Sequence, residues 1–316
     1  MTDLQHRPGV AGILSAYDAI DPVFLDTPLV RHAAADAELG LALHAKVETL
    51  NPIRSFKGRG TDWLLRTMPS SGVPIVTASA GNFGQGLAYA AAKRRRKAII
   101  FAATNANPLK IAAMRGLGAD VRLHGEDFDA AKGEARQFSA EKGYVFVEDG
   151  AEAAIAEGAG TIALETTRQT DMRGIPLDIV LVPLGNGALL TGVGTWMKAK
   201  MPSCRVIGVV AAEAPAMLLS WQRGTYVATP SAPTIADGIA VREPVPHALE
   251  TMKTTVDEVW TVGEETIRSA MRFCLQHYGL VVEPAGAAGV AATLEHRERL
   301  QGGSVATILC GGNVVR

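Results

Sequence analysis

The sequence predicts an α/β protein of two lobes with a cleft between them, each lobe a parallel sheet flanked by helices. Short continuous runs of Val, Ile and Leu alternate with longer helical patterns, as in strands buried on both faces. Several of those runs end in glycine-rich turns that open directly into a helix. The chain has 316 residues, 47% of them hydrophobic, which is enough to bury a large core without disulfides or structural metal.

Taken in order, PIVTA (74–78) predicts a strand, and FGQGLAYAAAKRRR after it a helix. AIIFA (98–102) leads into NPLKIAAMRGLG, and ADVRL (119–123) into a polar helix over 127–142. YVFVE (144–148) is followed by the helical IAEGAGTIALETTRQT. These cycles make a compact set between residues 74 and 148. A second, longer set contains DIVLVPL (178–184), CRVIGVV (204–210), EVWTVG (258–263) and VATILC (305–310). The basic run 93–97, Lys-Arg-Arg-Arg-Lys, reads as the solvated C-terminal end of a helix, where cations suit the dipole. Residues 220–233, with one glycine and two prolines, read as a surface excursion.

Composition excludes several classes of function. With 31 Lys+Arg against 32 Asp+Glu, nothing favours nucleic acid or an anionic membrane surface. The three cysteines cannot all pair and show no metal-ligand spacing, so a reduced, cytoplasmic protein is expected. No apolar run approaches the roughly 18 residues of a spanning helix, and the polar start MTDLQHRPG does not read as a signal peptide. The 33 glycines exceed the usual ~7% and point to tight loops near a ligand.

Five segments carry candidate chemistry. In Asn51-Pro52-Ile53-Arg54-Ser55-Phe56-Lys57-Gly58-Arg59-Gly60, a lysine between two arginines enters an apolar helix. Neighbouring cations and partial burial would favour the free amine that Schiff-base chemistry requires; a basic helix start on the surface fits the local pattern equally well. Ser79-Ala80-Gly81-Asn82-Phe83-Gly84-Gln85-Gly86 and Pro183-Leu184-Gly185-Asn186-Gly187-Ala188-Leu189-Leu190-Thr191-Gly192 each follow a strand and open a helix, which suits anion binding by main-chain N–H groups. The second of these is neither a Walker loop nor a dinucleotide fingerprint. Thr234-Ile235-Ala236-Asp237-Gly238-Ile239-Ala240-Val241 and Leu309-Cys310-Gly311-Gly312-Asn313 complete the set. Cys310 reads either as inert core or as a thiol facing a ligand.

In this order, Thr27-Pro28-Leu29, SFKGRG, SAGNFGQG, GTIALE, PLGNGALL, ADGIAV, VEPAGAAGVAA and CGGN resemble the fold-type II pyridoxal-phosphate enzymes, in the serine/threonine dehydratase and serine racemase branch. The resemblance spans nearly the whole chain. It implies a tryptophan synthase β-like fold of two twisted sheets, with a large domain from residues 1–73 and 149–316 and a small mobile domain from 74–148. It also implies that Lys57 carries the pyridoxal 5'-phosphate covalently and acts as catalytic base, and that Phe56 packs beside the cofactor. Asn82 would bond the cofactor's phenolic oxygen. Gly185, Asn186, Gly187, Ala188 and Leu189 would receive the phosphate, Gly238 would run beside the ring, and Cys310 would face the ring nitrogen. Ser79, Ala80, Gly81 and Asn82 would hold the substrate carboxylate.

The departures from the family sharpen the expectation. Ala80 stands where the racemase has a serine acid, so elimination is favoured over racemisation. Glu213 has no nearby second carboxylate, so no metal is expected. Asp149 replaces a different polar pattern, which makes it a candidate for substrate selection or else a surface turn. The chain stops just after CGGN, and no feedback domain is expected. The implied activity is an ammonia-lyase on a β-hydroxy amino acid of the threonine or serine type, in a homodimer with no nucleic-acid or membrane partner. Lyases of 3-hydroxyaspartate, phenylserine or a diamino acid, a threonine synthase-like β-replacement enzyme, and a non-enzymatic cofactor carrier remain as alternatives.

Overall fold

The computed structural model describes residues 7–69 and 72–314; residues 1–6 of the polar start lie outside the described residues. The strands are β1 (Leu29–Val30), β2 (Ala42–Val47), β3 (Ile75–Ala78), β4 (Ala98–Ala102), β5 (Asp120–Leu123), β6 (Val145–Phe146), β7 (Ile179–Pro183), β8 (Arg205–Ala211), β9 (Glu258–Val262) and β10 (Ser304–Leu309). They form a six-stranded sheet ordered β1-β2-β10-β7-β8-β9 and a four-stranded sheet ordered β5-β4-β3-β6. Every pairing of these strands is parallel except β1 with β2.

Continuous apolar runs become parallel strands because both sheet faces are covered. In β7, Ile179 and Leu181 enter one core cluster while Val180 and Val182 enter the cluster on the other side. In β4, Ile100 faces one way and Ile99 and Phe101 the other. The α/β class and the strand-helix alternation therefore follow the sequence expectation closely.

Four details differ from it. Strands β1 and β2 carry no continuous apolar run, because His44 and Lys46 interrupt β2 although both are buried. YVFVE supplies only the two-residue β6 before the chain turns away. Ser220 belongs to the helix Ala216–Arg223 and is buried, exchanging hydrogen bonds with Val227, so the surface excursion starts at Gly224. The basic run does end the helix Asn82–Lys93, yet it is largely engaged: Lys93 pairs with Asp21, and Arg94 Nη1 reaches the buried Asp62 at 2.8 Å.

The helix Lys57–Thr67 lies unusually close to the helix Ala153–Asp171. A Cβ on Gly60 would stand 2.6 Å from the Ile155 carbonyl oxygen, and one on Gly158 would stand 2.6 Å from Gly60 Cα. Between them the fully buried Arg59 donates from Nε to Glu48 Oε2 at 2.8 Å and from Nη1 to Glu165 Oε1 at 2.7 Å. Lys46 Nζ reaches Glu165 Oε2 at 2.6 Å, so two cations meet two carboxylates. Burial alone would raise the Glu165 carboxyl pKa, but Arg59 and Lys46 pull it down to about 2.

Arg59→Leu would strand Glu48 and Glu165 without their main counter-charge, and is expected to cost about 3–5 kcal/mol in urea denaturation; a loss below ~1 kcal/mol would show that the cluster does not tie these elements together. Because Glu165 titrates lower in the fold than its ordinary 4.5, its contribution is present above that pH and fades as pH falls toward 2. The wild type should show that extra acid-dependent loss in thermal melts, and Arg59→Leu, which leaves Lys46 as the cation beside Glu165, should show a smaller one.

Candidate active site

Four strand ends and one helix start meet between the two sheets. The segments after β3, β6, β7 and β10 all lie at strand C-terminal ends, where open parallel sheets bind ligands. Lys57 opens the helix Lys57–Thr67, and local bonds fix its approach. Asn51 Oδ1 accepts from the Ile53 and Ser55 N–H groups, which closes the Asn-Pro turn. The Phe56 N–H then donates to the Cys310 carbonyl at 3.1 Å, and Ser55 bridges Gly311. The segment bearing Lys57 is thus stitched to the end of β10.

The Lys57 amine is partly buried. Its Nζ sits 4.9 Å from the Phe56 ring centroid and 5.8 Å from that of Phe83. Its charged neighbour is not an arginine. Arg59 turns into the buried cluster, and Asp149 Oδ2 lies 2.5 Å from Nζ instead. The expected cationic surroundings are corrected to an ion pair, and Asp149 lies in a partly buried turn.

Asn82 begins the helix Asn82–Lys93, and both ends of its amide are engaged. Nδ2 donates to Glu283 Oε1 at 2.6 Å, and Oδ1 accepts from Asn313 Nδ2 at 2.8 Å. Ser79 Oγ accepts from the Gly81 and Gly84 N–H groups, which shapes the turn; Ala80 is half-buried beside it. Glu283 escaped the sequence reading, although a lone carboxylate within an apolar, alanine-rich run was the available signal. Burial, then the charge of Asp237, raises its carboxyl pKa from 4.5 to about 7. Its Oε2 is buried without a hydrogen-bond partner.

After β7, Gly187 adopts φ +100°, a left-handed conformation suited to glycine, and caps the helix Ala188–Lys200. A Cβ on Gly185 would lie 2.7 Å from the Gly238 carbonyl oxygen, so this loop packs directly on the segment containing Gly238. Asn186 Oδ1 accepts from the Ala188 N–H at 3.1 Å, leaving Leu189 among the first-turn amides that have no acceptor within the helix. The Leu189 side chain itself is buried in the core. Burial holds the Cys310 thiol far above its usual pKa, hence neutral.

These features fit a pyridoxal phosphate. A lysine amine is bounded by two aromatic rings, a glycine loop that tolerates no added Cβ crowns a helix N-terminus, and a buried neutral thiol lies within electrostatic reach of Lys57 and of Glu283, whose carboxylate accepts from Asn82. No group of three or more His, Cys, Asp or Glu able to hold a metal occurs among the described residues.

Three comparisons agree with this geometry. The family described as pyridoxal-phosphate dependent enzyme matches residues 20–311. An L-threonine ammonia-lyase of Geobacter sulfurreducens is 35% identical over 91% of this chain and 71% of its own. Among solved structures, a threonine deaminase of T.th. superposes with TM-score 0.93 and 32% identity, covering 98% of this chain and 99% of that one. Maize serine racemase follows at TM-score 0.92 and 27% identity, covering 98% and 95%.

Glu283→Gln tests the buried carboxyl. A carboxyl whose pKa is higher in the fold than in the unfolded chain stabilises below about 4.5 and loses that contribution as pH rises through about 7. Glutamine keeps an acceptor for Asn82 without ionising. In cofactor-free protein, Glu283→Gln should be more stable relative to wild type at pH 8 than at pH 5, by on the order of 2–3 kcal/mol; an equal difference at both pH values would refute the shift.

Proposed function

The chain belongs to the pyridoxal-phosphate dependent enzyme family, and from that premise we propose that it is an ammonia-lyase converting L-threonine or L-serine to a 2-oxo acid and ammonia by α,β-elimination. The observation that carries this reading is the likeness to L-threonine ammonia-lyases across 91% of the chain.

When bound, pyridoxal phosphate supplies the electron sink that makes the amino acid's α-proton removable. Lys57 is the base proposed to take that proton, supported by its place at the helix start, between Phe56 and Phe83. The two rings limit water around the amine. Ser79, Ala80, Gly81 and Asn82, at the N-terminus of their helix, are proposed to receive the substrate carboxylate. Gly185, Asn186, Gly187, Ala188 and Leu189 would hold the phosphate, Asn82 the phenolic oxygen, and Gly238 and Cys310 the ring. With the cofactor bound, a neutral Cys310 would not hold a proton at the ring nitrogen, and this would favour proton loss coupled closely to departure of the β-hydroxyl. Ala80 offers a methyl on its side of the site and delivers no proton.

Residues 74–148 are proposed to close as a unit over the substrate. Among the described residues, four ion pairs join this segment to the rest of the chain: Lys93 with Asp21, Arg94 with Asp62, Lys110 with Asp237 and Asp129 with Arg242. A homodimer in the cytoplasm is proposed as well. No described helix is long and apolar enough to cross a membrane, and all three cysteines are free and buried.

Lys57→Ala should lower ammonia release from L-threonine by at least about 10³-fold while the protein stays folded by circular dichroism; retained turnover would remove Lys57 as the base. Wild-type protein should form no D-serine from L-serine on chiral chromatography, whereas Ala80→Ser should form it. D-serine from the wild type would contradict the role given to Ala80.

A further inference from the structure

Asp149 is held in place more firmly than the elimination reading requires. Its neighbour Glu148 is gripped by Lys132 and Arg136. Gly150 follows with φ +89°, and a Cβ there would meet Asn186 Cγ at 2.9 Å, so the turn packs on the loop after β7. The carboxylate therefore projects beside the reacting amine, Oδ2 at 2.5 Å from Lys57 Nζ, while Oδ1 is buried with no hydrogen-bond partner. Lys132 and Arg136 spend their charge on Glu148, and Lys57 is the cation paired with Asp149.

An unpartnered acceptor oxygen in a partly desolvated anion favours a donor group on whatever occupies the site, and the anion repels a second one. The α-carboxylate and the phosphate are provided for elsewhere, by the loops after β3 and β7. The part of a substrate left to face Asp149 is its β-substituent.

We propose that Asp149 is the specificity-determining residue of this site: its carboxylate accepts a hydrogen bond from the substrate's β-substituent, so the site takes amino acids bearing a hydroxyl or ammonium group there and excludes those bearing a carboxylate. This assignment rests on the lyase reading and sets its substrate class. It places L-threonine, L-serine and 2,3-diaminopropionate inside the class and 3-hydroxyaspartate outside it.

The test uses cofactor-loaded wild type, Asp149→Asn and Asp149→Ala. The visible absorbance of the cofactor is titrated with two unreactive probes, L-aspartate and L-2,4-diaminobutyrate, and the ratio of their Kd values is read. In the wild type the diamino acid should bind at least tenfold more tightly than L-aspartate. Both variants should shrink that ratio by at least tenfold, Asp149→Asn doing so with the side-chain volume unchanged. A smaller change in the ratio overturns the proposal. In parallel, kcat/KM for L-threonine is compared with that for 3-hydroxyaspartate, and the preference for threonine should fall at least tenfold in Asp149→Asn. Should the wild type release no ammonia from L-threonine or L-serine, the lyase reading falls by itself, while the Kd ratio still decides whether Asp149 selects by charge.

Discussion

The buried guanidinium of Arg59 is the constraint on which the rest of the site depends. Its side chain is fully removed from solvent, and it bonds Glu48, Glu165, Thr27 and Thr161. Burying one such charge is costly, but Arg59 and Lys46 together balance Glu48 and Glu165. A neutral, fully bonded cluster of this kind has few alternative arrangements. It joins β2, the helix Lys57–Thr67 and the helix Ala153–Asp171, and Lys57 lies two residues before the arginine. The direction in which the amine leaves the helix is therefore set by a contact made inside the protein, away from the chemistry.

The rest of the site follows from where parallel strands end. Gly185 allows the loop after β7 to approach the segment at 238, Gly187 allows it to approach Ala248, and the turn at Gly150 packs on Asn186 of the same loop. Two carboxylates then share the site in different surroundings. Glu283 is buried, with its pKa raised to about 7, and bonds Asn82; Asp149 is paired with a cation. One sits beside the asparagines and the other beside the amine, so the two sides of the candidate site differ in charge.

Much of this was legible in the amino-acid sequence because parallel strands and glycine turns leave local signatures. The runs IVTA, AIIFA, IVLVP and SVATIL became strands with both faces buried. The parts that were hidden depend on contacts distant in sequence. Strand β2 was obscured because Lys46 and His44 look like surface residues until Glu165, more than a hundred positions on, provides the partner for Lys46. The surroundings of Lys57 were misread for the same reason. Arg54 and Arg59 are its neighbours along the chain, but Arg59 points into the core and Asp149 arrives from another sheet. Glu283 sat inside a quoted motif without a role, since only the folded chain shows that its carboxylate touches Asn82.

The central claim is that Lys57, and no other lysine, is the amine presented to the cofactor. It is tested most directly by reducing the cofactor-loaded protein with borohydride and mapping the peptides by mass spectrometry. The account predicts a single pyridoxyl adduct on the peptide containing Lys57, absent when that residue is alanine. An adduct on a different lysine, or no adduct at all in protein that retains the visible chromophore, would contradict it.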